Sequence, residues 1–214
     1  MHKPDSIKAT NSDAKFTPHE AGQFVGQAVD VIALGEVVMD FPLKPKYLAQ
    51  KCAIVFRTGE KNPDSGEFID ISREFTVSMG EKSNLRPFLE SWRGKKYTPE
   101  EVDAGVPLDK LCGQWALLTI EQRSSNKSGR KYGYILGATG VPKQMRGGLT
   151  AYTDYERAEY WAKKKEEYAV AARAFRAEIG APNGVTEDDG EPQDTTDYSD
   201  EQAAQDAEDS SLPF

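Results

Sequence analysis

Over the thirty residues from Val185 to Phe214, VTEDDGEPQDTTDYSDEQAAQDAEDSSLPF, eleven side chains are Asp or Glu and none is Lys or Arg. Self-repulsion at that density, with so few apolar residues, prevents a packed core. The segment therefore reads as a disordered acidic tail, and a fold has to come from what precedes it. The whole chain carries 27 basic and 35 acidic side chains, a net charge of -8. Without the tail the count is 27 against 24, a mildly basic body joined to a polyanion. An acidic stretch with the apolar tip Leu212-Pro213-Phe214 points to a docking motif, a decoy for a polyanion, or a solubilising extension.

Of the 214 residues, the tail and a polar stretch to about Glu20 leave roughly 160, which suits one domain plus an appendage. The expected division is a flexible arm over 1–20, a domain over 21–149, a helix over 150–181 and the tail over 182–214. No apolar run approaches membrane-spanning length, and the N-terminus lacks a secretory hydrophobic segment, so a cytoplasmic protein is expected. Cys52 and Cys112 form no CxxC pair and read as reduced, buried thiols. Both histidines, His2 and His19, lie in the polar arm, which argues against a histidine-based metal site or general base.

Apolar alternation places strands at Ala21–Phe41, bent at Gly26 or Gly35, at Tyr47–Thr58 and at Phe68–Met79. The period then changes. Leu85, Phe88, Leu89 and Trp92 recur at helical spacing, with Ser83 as a candidate N-cap and Gly94 as the stop. Thr98-Pro99-Glu100-Glu101 is a capping box that starts a second short helix. Strands return at Leu111–Gln122 and Lys131–Thr139. Three strands, a helical insert and two strands is the order of a five-stranded OB-fold barrel. A mostly β barrel of that kind, followed by a C-terminal helix and the acidic tail, is the expected fold. The helix starts from a capping box at Thr153-Asp154-Tyr155-Glu156 and runs to about Ile179. Its stripe of Tyr155, Ala158, Trp161, Ala162, Tyr168, Ala169, Ala172, Phe175 and Ile179 packs on the same chain or pairs two subunits.

The chain has no nucleophile elbow, phosphate loop, dinucleotide fingerprint or zinc spacing. Glu100 and Glu101 sit where a helix start favours anions. No enzyme, cofactor or metal is expected. Polyanion binding fits better. From Lys44 to Arg146 there are eighteen basic and twelve acidic side chains. The cations gather in loops: Lys44 and Lys46, Arg57 and Lys61, then Arg123, Lys127, Arg130 and Lys131. Aromatics lie between them. Phosphates need a basic groove and bases need flat rings, and each stacked base is worth roughly 1–3 kcal/mol whatever its identity. Phe56 and Phe75 share faces with apolar neighbours and read as core. Phe68, on the side of Asp70 and Ser72, is a better stacking candidate. Trp115 stacks a base or lies under the terminal helix, and Tyr132 and Tyr134 alternate with Gly133 in a basic hairpin. Arg73 completes the candidate set.

These residues resemble a known family. The segment REFTVSMGEKSNLRPFLESWRGKKYT, Arg73 to Thr98, is similar to single-stranded DNA-binding proteins of tailed phages that carry an OB barrel, over roughly Gln23 to Arg146. The end Glu208-Asp209-Ser210-Ser211-Leu212-Pro213-Phe214 resembles the bacterial single-stranded DNA-binding proteins, whose acidic tail closes on Ile-Pro-Phe. The resemblance implies a sequence-tolerant binder of single-stranded DNA for phage replication, recombination or repair, acting in the host cytoplasm. It implies that Phe214 and its carboxylate anchor the tip in a partner's pocket, beside Leu212 and Pro213, while Glu208 and Asp209 meet a basic rim. Ser210 and Ser211 depart from that pattern by diluting the charge next to the anchor. The alternative is a β-barrel adaptor that binds protein and no nucleic acid. Homo-oligomers are compatible with either.

Overall fold

The second strand decides the layering. Cys52-Ala53-Ile54-Val55-Phe56 contains no polar residue, so alternation cannot leave one side wet and both faces have to be covered. The computed structural model describes residues 17–125 and 128–180. In it β2 (Tyr47–Lys61) is an interior strand: Cys52, Ile54 and Phe56 join one apolar cluster, and Ala53 and Val55 join another on the opposite side.

Five antiparallel strands form one sheet in the order β3-β2-β1-β4-β5. The others are β1 (Gly22–Met39), β3 (Phe68–Thr76), β4 (Trp115–Ser124) and β5 (Lys131–Gly140). β1 is long because it serves two partners. Gly22–Gln27 pairs with β4, and Gln27–Met39 pairs with β2. It is bulged between Ala28 and Asp30 and again between Ala33 and Gly35. Gly35 has φ +84, the left-handed region that glycine enters without strain, so the bend expected there is found. Gly26 has a different role. A Cβ at that position would stand 2.9 Å from Leu118 Cδ1, so its bareness lets β1 and β4 pack closely. β4 begins four residues later than expected, because Leu108–Leu111 forms a 3-10 turn and Gly113 turns the chain with φ +84.

The insert closes the inner face. α1 (Leu85–Arg93) buries Leu85, Phe88, Leu89 and Trp92, as the helical spacing predicts, at about 2 kcal/mol per side chain. Phe88 packs against Phe75 at 4.7 Å, and Trp92 against Phe56 at 5.3 Å, between ring centroids. The Trp92 indole N–H donates to the Trp115 carbonyl at 2.9 Å. Gly94, with φ +75, ends the helix. α2 (Pro99–Asp103) carries the expected capping box at Thr98. Arg93, and then the Thr98 N–H, hold the Glu101 carboxyl down at about 2, which ties the two helices together.

α3 (Lys143–Arg146) is a single turn, and residues 150–158 form neither helix nor strand. α4 (Glu159–Ile179) then crosses the outer face, with Trp161 buried against Ile32, Leu34, Ala53 and Val55. Of the two expected arrangements for this helix, packing on the same chain is the one found. Its start is corrected from Thr153 to Glu159. Asp154, Tyr155 and Arg157 are drawn into sheet contacts instead: Asp154 to Arg57 at 3.1 Å, Tyr155 to Asp30 at 3.3 Å, and Arg157 to Asp30 at 2.7 Å. The stripe is corrected too. Lys164, only 1 % exposed, lies on the packed face, whereas Ile179 is 56 % exposed.

The expected closed barrel is not formed. The ladder ends at β3 on one side and β5 on the other. Arg73 of β3 stands in this seam and donates to the carbonyls of Ile135 and Leu136, each at 2.8 Å. A side chain thus takes β5 acceptors that a closing strand would use, next to a register shift in the β4–β5 pairing. The expected flexible arm also narrows. His19 is 2 % exposed, with Nδ1 2.8 Å from Glu60 and Nε2 2.8 Å from the Thr58 hydroxyl. Among the described residues, no helix is long and apolar enough to cross a membrane.

Candidate nucleic-acid interface

Register places three of the sequence candidates together on the outer face. Arg57 of β2 opposes Asp70 of β3, Phe68 lies on the Asp70 side of β3, and Trp115 alternates away from the inner Ala116 and Leu118. The Arg57 guanidinium makes a forked pair with Asp70, 2.7 and 2.8 Å, and reaches Asp154 at 3.1 Å. The Asp70 hydrogen bond, before any other cause, raises the Arg57 pKa. Its carbon lies 4.5 Å from the Phe68 ring centroid and 5.5 Å from that of Tyr155. Lys61 Nζ makes a second cationic approach to Phe68, 4.6 Å from its ring centroid. Tyr152, from the segment before α4, sits between the outlying rings, 5.4 Å from Phe68 and 5.9 Å from Trp115. Its backbone N–H donates to the Gln27 amide at 2.8 Å. Burial raises the pKa of both tyrosines, and the Asp30 charge adds to this for Tyr155. The result is a cation held among three rings, Phe68, Tyr152 and Tyr155, with Trp115 beyond Tyr152, an arrangement in which a guanidinium and π faces attract one another.

A second group lies at the seam. The Tyr134 ring has two guanidiniums near it, Arg123 at 3.6 Å and Arg73 at 5.2 Å from its centroid. Arg123 also pairs with Glu121. Tyr132 and Tyr134 are 5 % and 7 % exposed, so neither ring presents an open face for stacking, while Arg130 and Lys131 are exposed. The third group is the tip of the β1–β2 hairpin. Phe41 and Tyr47 stack at 6.2 Å, Lys44 lies 6.0 Å from the Phe41 centroid, and Lys46 pairs with Asp40 at 2.8 Å. The Asp40 hydrogen bond is the main reason that the Lys46 pKa is raised, and Glu178 near the end of α4 contributes. Lys127 and the tip residues Glu208, Asp209, Leu212, Pro213 and Phe214 lie outside the described residues.

The structure thus brings Arg57, Phe68 and Trp115 together and sets Arg73, Arg123 and Tyr134 in a separate group. Four rings were missed as candidates for the site: Phe41, Tyr47, Tyr152, and Tyr155, which reads in sequence as part of the stripe of the terminal helix. Phe41 and Tyr47 bracket Lys44 and Lys46, a signal that was available. Tyr152 and Tyr155 were hidden by the capping box that made their segment read as the approach to a helix. Among the described residues, no group of three or more His, Cys, Asp or Glu side chains is placed to hold a metal.

No family model, curated protein or solved structure matches this chain.

Proposed function

We propose that this protein binds single-stranded DNA without regard to sequence and is not an enzyme. The observation that carries the reading is the convergence of Arg57, Phe68 and Trp115 on one outer face, rings beside a cation, with Lys61 next to them. Rings take bases of any sequence, and cations take the phosphates. The hairpin lysines Lys44 and Lys46, and Arg130 and Lys131 of the last loop, extend positive charge to either side. The sheet is in this reading an OB-type barrel left open at one seam: β3-β2-β1-β4-β5 is that barrel's order with the β3–β5 contact unzipped, and Arg73 bridges the gap. In such barrels the face of the second and third strands, with the first and last hairpin loops, carries the nucleic acid.

The work that suits such a protein is replication, recombination or repair of phage DNA in a host cytoplasm. The acidic tail recruits replication or repair proteins through Leu212, Pro213 and Phe214, with Glu208 and Asp209 guiding the approach, and it competes for the basic face when DNA is absent. One observation favours the adaptor reading instead: Leu43 at the hairpin tip is fully exposed, with φ +65, as an apolar contact for another protein would be. A mobility shift separates the two. Retardation of oligo-dT ahead of a duplex of equal length supports the DNA reading, and retardation of neither supports the adaptor.

A further inference from the structure

Resting on the DNA-binding reading, we propose that Phe68, Trp115 and Arg57 form a nucleotide subsite which the chain fills with its own Tyr152 and Asp154. The Tyr152 ring lies where a base would, between Phe68 at 5.4 Å and Trp115 at 5.9 Å. The Asp154 carboxylate lies where a phosphate oxygen would, 3.1 Å from Arg57 Nη1. An aromatic ring and an anion two residues apart, on a segment outside any helix or strand, reproduce the two features that a single strand offers to such a face.

The seat is shaped for this occupant. Gly59, with φ +87, has no Cβ, and one built there would stand 2.8 Å from the Tyr152 hydroxyl. The tyrosine ring packs edge-on to Phe68, at 69°, and tilted to Trp115, at 44°, rather than in parallel stacks. The occupant is also exchangeable. Residues 151–158 have no helical or strand ladder, and Asp154 is 63 % exposed on its side chain. Arg57 is 7 % exposed with the segment in place, and when Asp154 leaves it keeps its forked pair with Asp70. The anchors that remain lie on either side: the Tyr152 N–H on Gln27, and Arg157 on Asp30 with two bonds of 2.7 Å. They let the ring and the carboxylate swing away without releasing α4.

A subsite occupied from within binds more weakly by the fraction of time that it is free. Anisotropy titrations of labelled oligo-dT with the full chain and with Tyr152→Ala, Tyr152→Phe and Asp154→Asn test this. Tyr152→Ala tightens binding by about five- to tenfold, Asp154→Asn by about two- to threefold, and Tyr152→Phe, which keeps the ring, matches the parent. Circular dichroism confirms that each variant is folded. If Tyr152→Ala does not fold, Asp154→Asn decides alone, because it removes only a charge. Weaker or unchanged binding by the folded variants overturns the internal occupant and makes Tyr152 part of the platform, leaving the DNA reading intact. No binding by the parent or by any variant overturns the DNA reading, and this inference with it.

Discussion

At the residue scale, the two thiols show how far position alone separates identical chemistry. Cys52 lies in the inner core, 3 % exposed. Burial, with the Glu74 charge adding to it, pushes its thiol from an ordinary 9.0 up to about 12. Cys112 is exposed, and burial of part of the side chain raises its pKa as well. A disulfide-forming thiol reagent at pH 8 therefore titrates Cys112 in the native protein and reaches Cys52 only after urea is added. Rapid release of two equivalents from the native chain contradicts the burial of β2. The sign of the pH effect follows: between about 9 and 12 the unfolded chain ionises Cys52 while the folded one does not, so this thiol removes stability as pH rises through that window. Both cysteines read as buried from sequence, and only Cys52 is, because an apolar strand pattern locates the first whereas Cys112 follows a 3-10 turn.

At the scale of elements, α4 is fastened to the sheet as much by charge as by apolar contact. Trp161 and Ala172 are its buried apolar side chains, while Lys164 lies under it with Nζ 2.6 Å from Glu74. Lys51 reaches the same carboxylate at 3.6 Å, and Arg176 pairs with Glu36 farther along. Removing one member of a buried pair strands the other charge. Lys164→Met, which keeps the volume, lowers the urea-unfolding free energy by about 2–3 kcal/mol, with Lys51 limiting the loss. A change under about 0.5 kcal/mol would mean that the pair does not hold the helix. Strands and α1 were legible because burial there follows apolar period: Leu85, Phe88, Leu89 and Trp92 all pack inward. α4 was half legible, since a hydropathy pattern counts Lys164 as solvated and cannot show a carboxylate waiting on another strand. The segment before α4 was missed because Thr153 and Glu156 satisfy a local capping rule that Arg57 and Asp30 override from a distance. The five-strand order with its helical insert was legible, but the open seam between β3 and β5, where Arg73 meets the Ile135 and Leu136 carbonyls, was not.

At the scale of the molecule, the separation of charge has a geometry. α4 ends at Ile179, where Arg176 meets Glu36 and Glu178 acts on Lys46, so the last described residues lie beside the basic β1–β2 hairpin. If the tail competes for the basic face, as proposed, its tether gives it a high effective concentration there. Deleting Val185–Phe214 raises affinity for oligo-dT on the order of tenfold at about 50 mM salt, and the gain shrinks as salt screens it. Equal affinities at low salt would remove the competitor role and leave recruitment alone. The candidate face itself was legible as residue types, rings among cations, but not as a place: sequence could not tell that Arg57, Phe68 and Trp115 meet while Tyr132 and Tyr134 are buried. Single-stranded DNA binding at that face is the central proposal. Anisotropy of labelled oligo-dT and of a duplex of equal length, titrated with the full chain across a salt series, tests it most directly. The prediction is tighter binding of oligo-dT, with log affinity falling against log salt by about 0.7 for each phosphate neutralised. No preference for the single strand, or an affinity that salt leaves flat, contradicts it.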